Sequence, residues 1–195
     1  MRTVKKLKSK FFEYTDRVQI NGEEFLINTD FAVWIEIEQL LMNQKKDNCE
    51  RMVGILSLAF PCLPPDPVGA MEQVMCFYAG GRMPDSRADA SEMRNVAFDL
   101  KKDFEYIYAA FLSEYGIDLQ KTQMHWWQFR KLLFCLGDDC KFSKIVSFRC
   151  MDTSKIKNRE VKSFYEKMKR KYRLPDMRTA EEKETEVALK LETLF

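Results

Sequence analysis

The sequence predicts a mainly α, compact multi-helix domain with one N-terminal β-hairpin at about residues 17–28. Three observations carry this. Apolar residues recur at helical spacing in successive segments between residues 31 and 173. A single Asn-Gly pair, Asn21-Gly22, sits between two apolar runs. The composition, 46% hydrophobic and 13% aromatic over 195 residues, is enough for a real core. The boundaries read as a basic N-terminal extension (1–16), one mainly helical domain (17–175) and an acidic C-terminal helix or tail (176–195).

The hairpin comes first. Apolar residues alternate through Arg17-Val18-Gln19-Ile20 up to Asn21-Gly22. That dipeptide favours a type I′ turn, because both central residues need positive φ. An isolated hairpin is marginal in water, so this one must pack on the helices. Asn28, Thr29 and Asp30 then offer caps for a helix from Phe31 to about Gln44. A second apolar segment spans 49–60 and is closed by Pro61, Pro64, Pro65 and Pro67. A third helix fits 68–79 and stops at Gly80-Gly81. Residues 82–95 are polar and aperiodic, a surface loop.

The clearest helix spans 98–115. Phe104, Ile107, Tyr108, Phe111 and Tyr115 share one face, and Gly116 follows as the stop. Asp99 and Asp103 are placed near its start, where the helix dipole favours carboxylates. Further helices are expected at 122–136, 141–150 and 154–173, the last with Ser154 as N-cap and Ile156, Val161, Phe164, Tyr165, Met168 and Tyr172 on its apolar side. A final helix at 180–194 is acidic in its first turns and apolar at Val187, Leu191 and Leu194.

The charge balance is near neutral, 32 basic against 30 acidic residues. That disfavours a protein dedicated to nucleic acid, which carries a basic excess. The basic residues nevertheless gather in 151–177, nine against four acidic ones. Lys162, Lys169, Arg170 and Lys171 are therefore a candidate partner surface. No apolar run approaches a membrane span, and none follows the charged N-terminus as a signal peptide would require. Six cysteines without Cys-x-x-Cys spacing read as free thiols of a reducing compartment, several of them buried.

No catalytic constellation emerges. The one histidine, His125, lies beside Trp126 and Trp127 and reads as a hydrogen-bonding residue at a helix start. The phosphate-loop and nucleophile-elbow patterns are absent. Adjacent tryptophans project about 100° apart on a helix, so one is expected in the core and one at its edge. No enzyme activity, cofactor or metal is expected.

Asp103-Phe104-Glu105-Tyr106-Ile107-Tyr108-Ala109-Ala110-Phe111-Leu112, then Tyr115-Gly116-Ile117-Asp118-Leu119, His125-Trp126-Trp127-Gln128-Phe129 and Ile145-Val146-Ser147-Phe148-Arg149, resembles the bacteriophage family catalogued as "Gp fifteen". The likeness runs more loosely from the hairpin to Leu174. It implies a tail-region protein of long-tailed phages and prophages of Gram-positive bacteria. Members are encoded just ahead of the tape-measure gene, which implies a tail assembly chaperone acting in the host bacterial cytoplasm. The implied partner is the tape-measure protein, with self-association left open. The chemistry suits this, since a helical client is read through apolar grooves, and eleven methionines could furnish one. Two alternatives stand beside it: a structural tail or head–tail component retained in the virion, and a nucleic-acid-binding regulator using the basic helix 155–173. The motif residues themselves read as structural.

Overall fold

A computed structural model describes residues 14–43, 46–81 and 97–175. The 82–95 loop, the 180–194 helix and all but Tyr14, Thr15 and Asp16 of the basic extension lie outside the described residues. Among the described residues, β1 (Arg17–Ile20) and β2 (Glu23–Leu26) form an antiparallel pair. Seven α-helices follow: α1 (Phe31–Met42), α2 (Asn48–Ala59), α3 (Pro67–Tyr78), α4 (Phe104–Tyr115), α5 (Trp126–Phe134), α6 (Lys141–Cys150) and α7 (Arg159–Lys171). The architecture is mainly α with one N-terminal hairpin.

The hairpin turn takes the expected form. Asn21 and Gly22 have φ of 51° and 85°, and Ile20 pairs with Glu23 across the two-residue loop. Val18 and Ile20 point inward, where β1 rests on α3. Asp30 caps α1 by accepting from the Ala32 N–H at 2.8 Å. Asp47 and Asp66 cap α2 and α3 in the same way.

Three helices differ from the sequence expectation at their ends. α4 begins at Phe104 rather than near residue 98. The Asp99 carboxylate accepts from the N–H groups of Lys101 and Lys102 and closes a separate turn there. α5 begins at Trp126 rather than near 122. The chain before it is extended and pairs with the entry to α1: the Phe31 N–H donates to the Met124 carbonyl, and the Trp126 N–H to the Thr29 carbonyl. This ties the first turns of α1 and α5 together. The region 154–173 is not one helix. Asp152, not Ser154, caps a single 3-10 turn at Thr153–Lys155, and Asn158 caps α7.

The core is an aromatic stack shared by α1, α3, α4 and α5. Phe129 lies between Phe31 and Phe111, with centroids 4.8 and 5.3 Å away. Trp126 stacks on Trp34 and Tyr78, and Trp34 on Phe77. Such pairs add about 0.5–1.5 kcal/mol each beyond the area they bury. Both indole N–H groups of the tryptophan pair are satisfied by the end of α3: Trp126 donates to the Tyr78 carbonyl and Trp127 to that of Phe77. Gly81 lets the chain leave α3 past Trp127. It has φ of 85°, and a Cβ there would fall 3.0 Å from the indole ring.

The expectation of buried cysteines is not met. Cys49, Cys62, Cys135 and Cys150 are exposed, and Cys76 and Cys140 are half-buried, all unpaired. Several occupy helix ends, which face solvent. Cys49 is in the first turn of α2, Cys135 and Cys140 cap helices, and Cys150 closes α6. Among the described methionines Met124 is buried, while Met42 is exposed.

One carboxylate interrupts the apolar stripe of α1. Glu38 follows Phe31, Trp34 and Ile35 at helical spacing and is 9% exposed. It accepts from the Tyr78 hydroxyl at 2.7 Å. Burial pushes its pKa up to about 7, with the nearby Asp99 charge adding to the shift. The folded chain therefore holds this proton more tightly than the unfolded chain, whose carboxyl titrates near 4.5. Stability from this group is full below about pH 4.5, falls as pH rises and is lost above about 7. Glu38→Gln removes that slope. Above pH 8 the variant should be more stable than the wild type by on the order of 3 kcal/mol, with the two converging at pH 4.5. Denaturant melts at a series of pH values check this.

Candidate functional site

The motif residues gather on one side of the core. Ile107, Phe111 and Phe129 are fully buried and Trp126 nearly so, while Phe104, Tyr108, Tyr115 and Trp127 are half-buried against them. The Tyr115 hydroxyl donates to the Leu132 carbonyl at 2.9 Å, joining α4 to α5. Gly116 ends α4 with φ of 66°. Asp118 accepts from the Gln120 N–H and pairs with Lys121, and that contact lowers its pKa.

His125 is the cap of α5. Its Nδ1 accepts from the Trp127 N–H at 3.1 Å, which leaves the proton on Nε2, 3.1 Å from the Thr15 carbonyl. Partial burial holds its pKa below the usual value. Its ring stacks on Tyr14 at 4.7 Å, so the neutral imidazole fastens the start of the described chain to α5. Among the described residues both of its ring nitrogens meet backbone groups.

Arg149 takes a position that its spacing could have disclosed. It follows Phe142 and Ile145 on the inward stripe of α6, where an arginine needs a counter-ion. The partner is Asp103, 2% exposed, forked by the guanidinium at 2.6 and 2.8 Å. Asp103 makes no side-chain cap on α4. The dipole role read from its position yields to an ion pair 46 residues away in sequence. The same guanidinium donates to the carbonyls of Ala97 and Tyr172. It thus joins the approach to α4, the end of α6 and the end of α7.

α7 lies outside this pin and rests mainly on α6. Phe148 of α6 meets Phe164, Tyr165 and Tyr172. No residue of α7 is buried, and Val161 and Phe164 are 43% and 52% exposed. Of the candidate partner surface, Lys169, Arg170 and Lys171 are exposed and Lys162 is half-buried. Lys169 donates to the Met151 carbonyl, and Lys171 lies over the Tyr172 ring. An open cleft between α6 and α7 is lined by Ala97, Arg149, Cys150, Lys169, Arg173 and Leu174. Among the described residues no group of three or more His, Cys, Asp or Glu is placed to hold a metal ion. Nor is any helix there long and apolar enough to cross a membrane.

The chain is a bacteriophage protein of the structural or morphogenesis type. Residues 14–174 match the family described as Bacteriophage Gp15 protein, and the chain belongs to that family. No curated protein and no solved structure matches it.

The Asp103–Arg149 pin yields a stability prediction. Arg149→Met leaves a buried carboxylate without its partner, which costs about 3–5 kcal/mol. At about 2–4 °C per kcal/mol for a chain of this size, the melting temperature should fall by on the order of ten degrees. Arg149→Lys keeps the charge but loses the fork, and should fall between the two. Thermal melts followed by circular dichroism measure all three.

Proposed function

We propose that this protein is a tail-assembly chaperone-like factor that binds the tape-measure protein of its own phage in the host cytoplasm during tail morphogenesis. The observation that carries this reading is the face of α7. It is an amphipathic helix held against the body on one side, with Val161 and Phe164 left to solvent among lysines. A surface of this kind suits an amphipathic helical client, which docks through residues one turn apart. Lysines around the apolar pair would favour an acidic client segment and speed its encounter more than they tighten the complex. Family membership supports a role in building the particle, and the gene position implied by the resemblance supports the tape-measure protein as client.

A client that exposes apolar stripes before the tail tube covers it aggregates when alone. Co-expression with this protein should therefore keep tape-measure fragments soluble and let the two co-purify. Phe164→Ser should weaken that complex by about tenfold, the scale of one buried aromatic contact, with the melting temperature of the free variant measured alongside as the control for its lost contact with Phe148. The protein should also be missing from purified particles by mass spectrometry. Unchanged client solubility, together with a fixed copy number in the virion, would favour a retained structural component instead. Steeply salt-dependent binding to DNA would favour the nucleic-acid reading.

A further inference from the structure

One turn links the buried carboxylate of Glu38 to the buried ion pair that holds α7. Residues 99–103 close on themselves twice. The Asp103 N–H donates to the Asp99 carbonyl at 2.8 Å, and the Asp99 N–H to the Asp103 carboxylate at 3.0 Å. Leu100 within the turn is 2% exposed. The turn is seated on α1 by three polar contacts. The Leu100 N–H donates to the Glu38 carboxylate, Gln39 donates to Asp99 at 3.3 Å, and Lys101 pairs with Glu36 at 2.9 Å. The same turn carries Asp103, which holds Arg149, and Arg149 holds the end of α7 through the Tyr172 carbonyl.

The groups around Glu38 match a negative charge poorly. Tyr78, at the end of α3, and Leu100, in the turn, both donate to it, and both donors are neutral. The Arg130 guanidinium of α5 attracts it, but donates to the Tyr78 carbonyl and lies among the rings of Tyr78, Trp126 and Phe134. Asp99 of the turn repels it, although Lys102 pairs with Asp99 at 3.0 Å. On α1 itself Glu36 is taken up by Lys101, and Arg51 of α2 donates to the Asn43 carbonyl beyond the end of α1. Ionising a carboxyl that is 9% exposed in these surroundings is costly, and moving the turn off α1 lets water reach it. We propose that Glu38 is a proton-operated latch: its neutral carboxyl seats the 99–103 turn on α1, and its ionisation loosens the turn and, through Asp103 and Arg149, the attachment of α7. No client enters this, so it stands or falls apart from the tape-measure reading. The face of α7 is then held most firmly below neutral pH.

Amide hydrogen exchange of the full chain, followed by NMR between pH 6 and 8.5 and corrected for intrinsic rates, tests it. The seated carboxyl titrates at about 7 and the freed one near 4.5, so the open population of the turn should grow about tenfold over that range. Protection at Leu100, Lys101 and Lys102 should fall by that factor, and protection in α7 should fall with it. Such openings are local, so low urea should leave these rates unchanged while it speeds exchange in the core of α5. Glu38→Gln stands in for the neutral carboxyl and should hold its protection at both places across the range. A flat profile in the wild type, at the turn or in α7, overturns the proposal. So does an equal fall in Glu38→Gln, or exchange at the turn that rises with urea as steeply as that of α5.

Discussion

The carboxylate of Asp103 is held away from water at the threshold of α4, and the guanidinium of Arg149 is what makes that position tenable. An isolated buried carboxylate would cost several kcal/mol, so the pair exists only if α6 approaches α4 in one orientation. Once it does, the remaining N–H donors of Arg149 reach the Ala97 and Tyr172 carbonyls. The end of α7 is thereby fixed to the body at a point where apolar packing is thin. The aromatic stack of α1, α3, α4 and α5 supplies the bulk of the core, but it does not reach α7. α7 and its end are held by Phe148 with its three ring neighbours, by Tyr106 against Tyr172, by the hydrogen bond from Lys169 to the Met151 carbonyl, and by Arg149.

That division explains why α7 can be both ordered and exposed. A helix that buried its whole apolar side would have no face left to offer. A helix attached only by aromatic contacts on one edge would drift in register, since such contacts are weakly directional. Arg149 adds direction: its planar fork fits the Asp103 carboxylate in a narrow range of geometries. The row through Phe164 is thus held at a defined angle to the body.

Much of the fold was legible in the sequence, because caps and breakers are local. Asn21-Gly22 marked its turn, Gly80-Gly81 and Gly116 marked helix ends, and the face containing Ile107 and Phe111 marked the core helix. The helix starts expected at 98, 122 and 154 lie elsewhere because periodicity does not show which polar side chain closes the first turn. Asp99, His125 and Asn158 accept from backbone N–H groups and so fix where each turn begins, and at His125 that point is also set by tertiary pairing through the Met124 and Thr29 carbonyls. Periodicity cannot see that. The buried charges were legible in principle. Glu38 and Arg149 each occupy the inward stripe of a helix, after Trp34 and Ile35 in one case and Phe142 and Ile145 in the other. A charge there demands a partner. Nothing in the spacing, however, says that Arg149 should find Asp103, or Glu38 the Tyr78 hydroxyl. The basic cluster at 162–171 was legible as composition, but not the contacts its members make, Lys169 with the Met151 carbonyl and Lys171 with the Tyr172 ring.

If the Asp103–Arg149 pair is what joins α7 to the body, its loss should be felt locally. Native-state hydrogen exchange on Asp103→Asn measures this directly. Amides of α7, 159–171, should lose more protection than those of α5, 126–134, because α5 is held in the aromatic stack while α7 leans on the pair. Equal loss in both helices would show the pair to be part of the global core. Unchanged protection in α7 would show that the ring contacts of Phe148 hold it alone, and either result would contradict the role assigned here to Asp103.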